Sequence, residues 1–297
     1  MSISLPLATE AVPCVDFALE NRVDPGGTAL APDVVVLVEV GEPWPKPVAK
    51  HADLHDLVRI AQEHPGQVRL LAAIPHDPEQ PRVIAFWPSV AGMRRAEAPL
   101  GADPAAALQG VLANSDSMQV DTATGPRTML VCTQGSHDVC CGTHGAVFAD
   151  WLETEHPNVE TFRVSHTGGH RFSPTAMTLP DGRMWAYLTA ESVDEILSRE
   201  NAAAVSGQCR GWWGAPTGPA QIAERAVFEM LGFAFDEVSR TVTVGDDGNV
   251  EVAVGSDVYE VVVEVGREVP TIACSALGGL PAKPGREWVV VSGPTLR

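Results

Sequence analysis

The chain has 297 residues, 45% of them hydrophobic, and its 38 acidic side chains against 20 basic ones leave a net charge of −18 at pH 7. That length suffices for one large or two ordinary cores, and the charge weighs against nucleic acid as a partner, because phosphate contacts need Lys and Arg. No apolar run approaches the roughly 20 residues that span a bilayer, and six cysteines that include an adjacent pair suit metal ligands or redox thiols better than a disulfide framework. The first residues have neither the basic start nor the apolar core of a secretory signal, so a cytoplasmic location is expected.

In chain order, residues 1–30 predict an N-terminal arm that carries Cys14, with a short helix at 15–21. The run DVVVLVEV at 33–40 is continuously apolar and suits a buried strand. Three prolines in GEPWPKP force a loop at 41–47. Leu54, Leu57, Val58 and Ala61 at helical spacing predict a helix over 52–63, with strands following at 68–74 and 82–87. Asp103 with Pro104 behind it starts a helix that runs to Leu112, and the polar stretch 114–125 is the expected linker.

The second half opens on a strand that ends at Cys132. A helix over 145–156 and a strand at 159–164 follow. Pro180-Asp181-Gly182-Arg183 then sets a hairpin between 175–179 and 184–188. A helix over 192–204 is expected, with Ser192 as its N-cap and Glu195 completing a capping box. QCRGWWGAPTGP predicts a loop, 219–231 an amphipathic helix, 241–265 three short strands and 287–291 a last strand. Both halves therefore show the order strand, helix, strand, strand, helix, which suggests two α/β modules of thioredoxin-like type.

Chemistry concentrates between Thr128 and Phe172. Cys132-x8-Cys141 and His166-x3-His170 stand at or just beyond predicted strand ends, where α/β folds assemble sites. Two thiolates and two imidazoles suit zinc or a [2Fe–2S] cluster. The spacing of the cysteines is loose for a zinc knuckle and natural for a wider cluster. Gly168 and Gly169 let the backbone approach inorganic sulfide. The vicinal pair Cys140-Cys141, or Cys132 itself, is also a candidate redox thiol, although no Cys-x-x-Cys opens the helix after the strand.

VCTQGSHDVCCG, followed by SHTGGHRFSPTAMTLPDGRMWAYL, resembles the sucrase/ferredoxin-like family, and CRGWWG and the apolar run before GEPW are consistent with it. The resemblance implies a thioredoxin-like ferredoxin domain at 121–235 whose [2Fe–2S] cluster is held by Cys132, Cys141, His166 and His170. The element order places before it an α/β module without cluster ligands at 1–120 and after it a β-rich C-terminal segment at 236–297. The family pattern selects Cys141 over Cys140, and relatives often carry His where Gln134 stands. His144 is the reserve ligand. Arg171 is a candidate to place positive charge beside the cluster, Thr133 and Ser136 to donate to sulfur, and Trp212 and Trp213 to shield the site or dock a partner. Cys14, Cys209 and Cys274 receive no role.

The expected function is one-electron transfer to or from a redox partner protein, without enzymatic turnover and with no membrane or nucleic acid involved. The rivals are a zinc-binding structural or interaction module using the same four residues, and a thiol redox protein. No carboxylate pair of the kind a glycosidase needs stands out, so sucrose hydrolysis is not expected.

Overall fold

The computed structural model describes residues 3–89, 92–113, 120–121, 127–135, 139–245 and 248–297, with the backbone alone at 120–121. The N-terminal stretch is not a free arm. Helix α1 (Cys14–Glu20) buries Cys14, Val15, Phe17 and Ala18 against the rest of the chain. The apolar run forms β1 (Val34–Glu39), buried at every position, as expected of a strand covered on both faces. Helix α2 (His55–Glu63), β2 (Val68–Ala73) and β3 (Arg82–Ser89) follow where the sequence places them.

A further strand, β4 (Gly92–Pro99), pairs along the whole of β3. Its buried Met93 and Ala96 lie on opposite faces of the sheet and are separated by Arg94 and Arg95, so no apolar alternation marks the strand. Helix α3 (Pro104–Ala113) is capped by Asp103, whose Oδ1 accepts the Ala106 N–H at 2.9 Å. Of the expected linker only β5 (Val120–Asp121) is described, paired with β4; the remainder lies outside the described residues.

The second half runs β6 (Thr128–Cys132), α4 (Ala146–Glu155), β7 (Glu160–Val164), β8 (Ala176–Leu179), β9 (Arg183–Trp185) and α5 (Ala190–Ser198). Helix α5 begins earlier than the sequence suggests. Thr189 is the N-cap and Ser192 closes the capping box from the third helical position, because the extended backbone at Thr189 aims its hydroxyl at the Ser192 N–H. The helix stops at Arg199, which adopts the left-handed conformation, and Asn201 caps a short α6 (Ala202–Val205). The segment expected as a loop contains β10 (Cys209–Trp212), a bulged edge strand on β9, and then α7 (Gly218–Leu231).

Among the described residues these strands make one ten-stranded sheet in the order β10-β9-β8-β6-β7-β2-β1-β3-β4-β5. The order is a palindrome. In each half a central strand (β1 or β6) pairs parallel with the strand after its helix and antiparallel with the next one. The halves meet where β2 pairs antiparallel with β7, Ala73 opposite Val164. Ile74 N–H bonds to Arg163 O (3.0 Å) and Ser165 N–H to Ala72 O (2.8 Å), so an approximate twofold axis passes through this seam. One sheet face packs on helices; the other carries a core common to both halves, with Val35, Leu37, Leu130, Phe162 and Val164.

A separate antiparallel sheet follows: β11 (Arg240–Val244), β12 (Asn249–Val254), β13 (Asp257–Glu268) and β14 (Arg286–Leu296). Val250, Val252, Val261 and Val263 point inward onto α7, while Glu251 and Glu260 face solvent. The loop between β13 and β14 returns to the N-terminal stretch, where Ser275 N–H bonds to Val12 O (3.1 Å) and Gly278 N–H to Glu10 O (2.8 Å). The protein is thus mixed α/β, with a large mixed sheet and a small antiparallel one near the C-terminus, as the sequence predicts. No helix among the described residues is long and apolar enough to cross a membrane.

Candidate metal centre

Strand β6 delivers Cys132, fully buried, to the middle of the sheet, with its N–H on Thr175 O at 3.1 Å. The chain re-enters helix through Val139 and Cys140, and a π turn at Cys141–Gly145 precedes α4. Two close approaches draw this turn onto β6: a Cβ on Gly145 would strike the Cys132 carbonyl, and one on Gly142 would strike Gly135. Cys141 therefore reaches Cys132. The Cys132 sulfur is met by the Cys141 side chain, by His166, and by the backbone N–H groups of Thr167 and Gln134. The contact from Cys141, with these other donors, holds the Cys132 thiol well below the ordinary cysteine value, although burial pushes it up.

The His166 N–H donates to Gln134 Oε1 at 2.8 Å, and the Gln134 Nε2 donates across the seam to Trp44 O (3.3 Å) and Pro45 O (3.0 Å). Gln134 thus anchors His166 and ties it to the first half. Gly168 and Gly169 both lie in the left-handed region, at φ 80° and 73°, and turn the chain so that the His166 and His170 rings sit 5.9 Å apart, centroid to centroid. Cys132 and Cys141 are buried, whereas His166 and His170 are half-buried. The sulfurs face inward and the imidazoles form the outer edge.

Three arginines surround this point. Arg210 is buried, and its guanidinium donates to Thr28 Oγ1 (3.1 Å), Thr28 O (2.5 Å) and Gly168 O (3.1 Å). Burial, and then the neighbouring Arg171, draw its pKa down to about 10, while Cys132 and Cys141 act in the opposite direction. Arg69 donates to His166 O, and Arg171 donates to Thr271 Oγ1 while lying over the Phe172 ring. Burial lowers both of their pKa values. None of the three forms an ion pair with a carboxylate among the described residues. Nε of Arg69 and of Arg171, and the hydroxyls of Thr133, Thr167 and Thr175, are buried without a hydrogen-bond partner. All three threonines adjoin the centre: Thr133 follows Cys132, Thr167 follows His166, and the Thr175 carbonyl receives the Cys132 N–H. Unused donors, and arginines without a carboxylate ion pair among the described residues, around two thiols and two imidazoles fit a metal–sulfide group, which supplies acceptor sulfurs and negative charge.

Cys140 does not join its neighbour. Its Sγ lies 3.5 Å from Cys14 Sγ and 3.4 Å from Cys274 Sγ, partners 126 and 134 residues away. The three sulfurs all lie within 4.8 Å of one another, and Cys14 Sγ is 3.0 Å from His170 Nδ1. Contact with Cys14 lowers Cys140 to about 6, and contact with Cys140 raises Cys14. No spacing in the sequence announces this group, since its members come from α1, from the turn before α4 and from the loop after β13. His144 is exposed, and Ser136 lies outside the described residues. Trp212 and Trp213 sit at the far end of β6. Trp213 N–H bonds to Gly182 O at 2.9 Å, Trp213 Nε1 donates to Pro32 O, and Arg240 stacks on Trp212, so they pack the sheet and do not shield the centre.

The arrangement defines a mixed α/β protein with a buried thiol–imidazole centre beside the seam of a duplicated sheet. The sequence model of the sucrase/ferredoxin-like family matches residues 25–211, and the chain belongs to that family. The match covers Cys132, Cys141, His166 and His170 and leaves Cys14 and Cys274 outside it. No curated protein and no solved structure matches the chain.

Proposed function

We propose that this protein is a one-electron carrier whose [2Fe–2S] cluster is held by Cys132, Cys141, His166 and His170. The observation that carries this reading is the meeting of Cys132 with Cys141 and His166 inside a ring of arginines and unused hydroxyl donors, in a chain of a ferredoxin-like family. When bound, the cluster supplies a one-electron couple whose potential responds to ligand charge and hydrogen bonding. Cys132 and Cys141 anchor it from the buried side. His166 and His170 hold its outer edge, and Arg69, Arg171 and Arg210 offset negative charge as an electron arrives.

His166 and His170, as the half-buried members of the site, form the edge through which a bound cluster would exchange electrons. A cavity of about 260 Å³ lined by Gly168, His170, Arg171 and Arg210 opens there, and Val139 and Val147 stand exposed on the neighbouring helix start. The net charge of −18 favours a redox partner with a basic face. In this reading residues 121–235 are the ferredoxin unit, 1–120 a module without cluster ligands and 236–297 a β-rich cap, in a cytoplasmic protein. Iron and acid-labile sulfide content, with the visible spectrum, test it. Brown protein holding iron and sulfide in equal amounts is expected. Colourless protein that holds zinc at Cys132 and Cys141 would transfer the site to the structural alternative.

A further inference from the structure

Cys14, Cys140 and Cys274 make a second thiol group for which the electron carrier has no use. Cys14 and Cys140 are buried and Cys274 is half-buried, and all three are free thiols. Their separations of 3.5 and 3.4 Å are too long for a disulfide bond of about 2 Å. They are close to the edge of a tetrahedral zinc–thiolate site, about 3.8 Å for Zn–S bonds of about 2.3 Å. We propose that these three sulfurs hold one zinc ion, at a site distinct from the cluster.

Three further observations support the assignment. Backbone N–H groups already serve the sulfurs: Cys14 N lies 3.5 Å from Cys274 Sγ, and Val15 N–H meets Cys140 Sγ. Such donors stabilise metal-bound thiolates. Arg171 interacts favourably with Cys14 and lacks a carboxylate ion pair among the described residues, so it offsets the negative charge that three thiolates leave on a divalent ion. His170 Nδ1 stands 3.0 Å from Cys14 Sγ, positioned to donate to it and so to link this thiol group to the neighbouring centre.

The site would fasten α1 and the loop after β13 onto the turn that carries Cys141. Its two outer ligands lie beyond the family match, so it belongs to this chain's own N- and C-terminal segments. The test uses the full chain, loaded with zinc and then desalted, with zinc and iron counted per chain. About one zinc is expected in wild type. Cys14→Ser/Cys274→Ser is expected to lose about tenfold or more of it while keeping iron. Cys132→Ser/Cys141→Ser is expected to keep zinc and lose iron. Absence of zinc from wild type, its retention in the first variant or its loss in the second would overturn the proposal. Missing iron in wild type with this zinc pattern intact would sink the cluster reading alone. Should the first variant fail to fold, cobalt titration of Cys132→Ser/Cys141→Ser replaces it. Thiolate-to-cobalt charge transfer saturating at one equivalent is expected, and its absence overturns the site.

Discussion

Glu39 and Cys132 occupy the same place in two copies of one structural unit. Each ends the central strand of its half, and the next residue sends its N–H to equivalent partners, Val40 to Ala73 O (2.8 Å) and Thr133 to Val164 O (3.0 Å). The fold leaves a polar corner at this strand end, beside the seam. In the first half Glu39, fully buried, fills the corner with an ion pair to Arg82 at 2.9 Å, and the Arg82 N–H adds a bond at 2.8 Å. In the second half the corner holds thiols, imidazoles and arginines that form no ion pair with a carboxylate among the described residues. One copy closes on an ion pair, and in the proposed reading the other holds the cluster.

The largest effect expected from this contrast is a complete one. Cys132→Ser abolishes bound iron and visible absorption, whereas Glu39→Ala leaves both unchanged and lowers the denaturation free energy by about 1–3 kcal/mol, because the partly exposed Arg82 keeps Glu97 as a partner. Iron loss in Glu39→Ala, seen by metal analysis beside a urea titration, would erase the distinction between the halves. Next comes the hairpin of the second half. Burial, with Asp236 adding repulsion, raises the Asp181 carboxyl to about 6, above its ordinary 3.8. Its charged form is therefore disfavoured by folding. The penalty is fully present above pH 6, shrinks as the folded protein takes up a proton below that, and vanishes below the unfolded pKa. Asp181→Asn should raise stability by about 3 kcal/mol at pH 7 and by little at pH 3.5, which paired melts at the two values would measure.

Gln134 joins the two copies. Gln134→Ala strips the His166 N–H of its acceptor and the Trp44 and Pro45 carbonyls of their donor, at a cost of about 1–3 kcal/mol, and lowers retained iron after dialysis. Unchanged stability and iron would show that the two loops are independent. The smallest effect concerns charge. Arg210→Gln removes a cation beside both sulfurs and should lower the reduction potential by about 50 mV, near the 59 mV that a tenfold change represents for one electron. Voltammetry that finds no shift, or an upward one, would remove the arginine ring from the electrostatics of the site.

Much of the unit was legible because its signals are local. Apolar runs gave β1 and β6, helical spacing gave α2 and α4, and Pro180-Asp181-Gly182 gave the β8–β9 hairpin. The outward arginines of β4 and the short, bulged β10 broke the pattern that marks a strand, and the start of α5 turned on backbone geometry at Thr189. For the candidate site, Cys132, Cys141, His166 and His170 stood out through their spacing within one segment. The arginine ring did not, because Arg69 and Arg210 come from strands on opposite sides of β6. Nor did the thiol group, since Cys14, Cys140 and Cys274 meet only once both ends of the chain fold back onto the turn before α4.

The seam is narrow: Ala73 facing Val164, two flanking amide bonds, and Ser165 Oγ accepting the Ala72 N–H at 3.0 Å. Ser165 immediately precedes His166, so a ligand that fixes the imidazole also fixes the strand end that joins the copies. Hydrogen exchange turns this into a readout, because the amides of Ile74 and Ser165 open only when the two copies part. With the centre loaded they should share the protection of the buried strands β1 and β6. With it stripped they become the first sheet amides to exchange, and a molecule built as one continuous sheet begins to breathe as two.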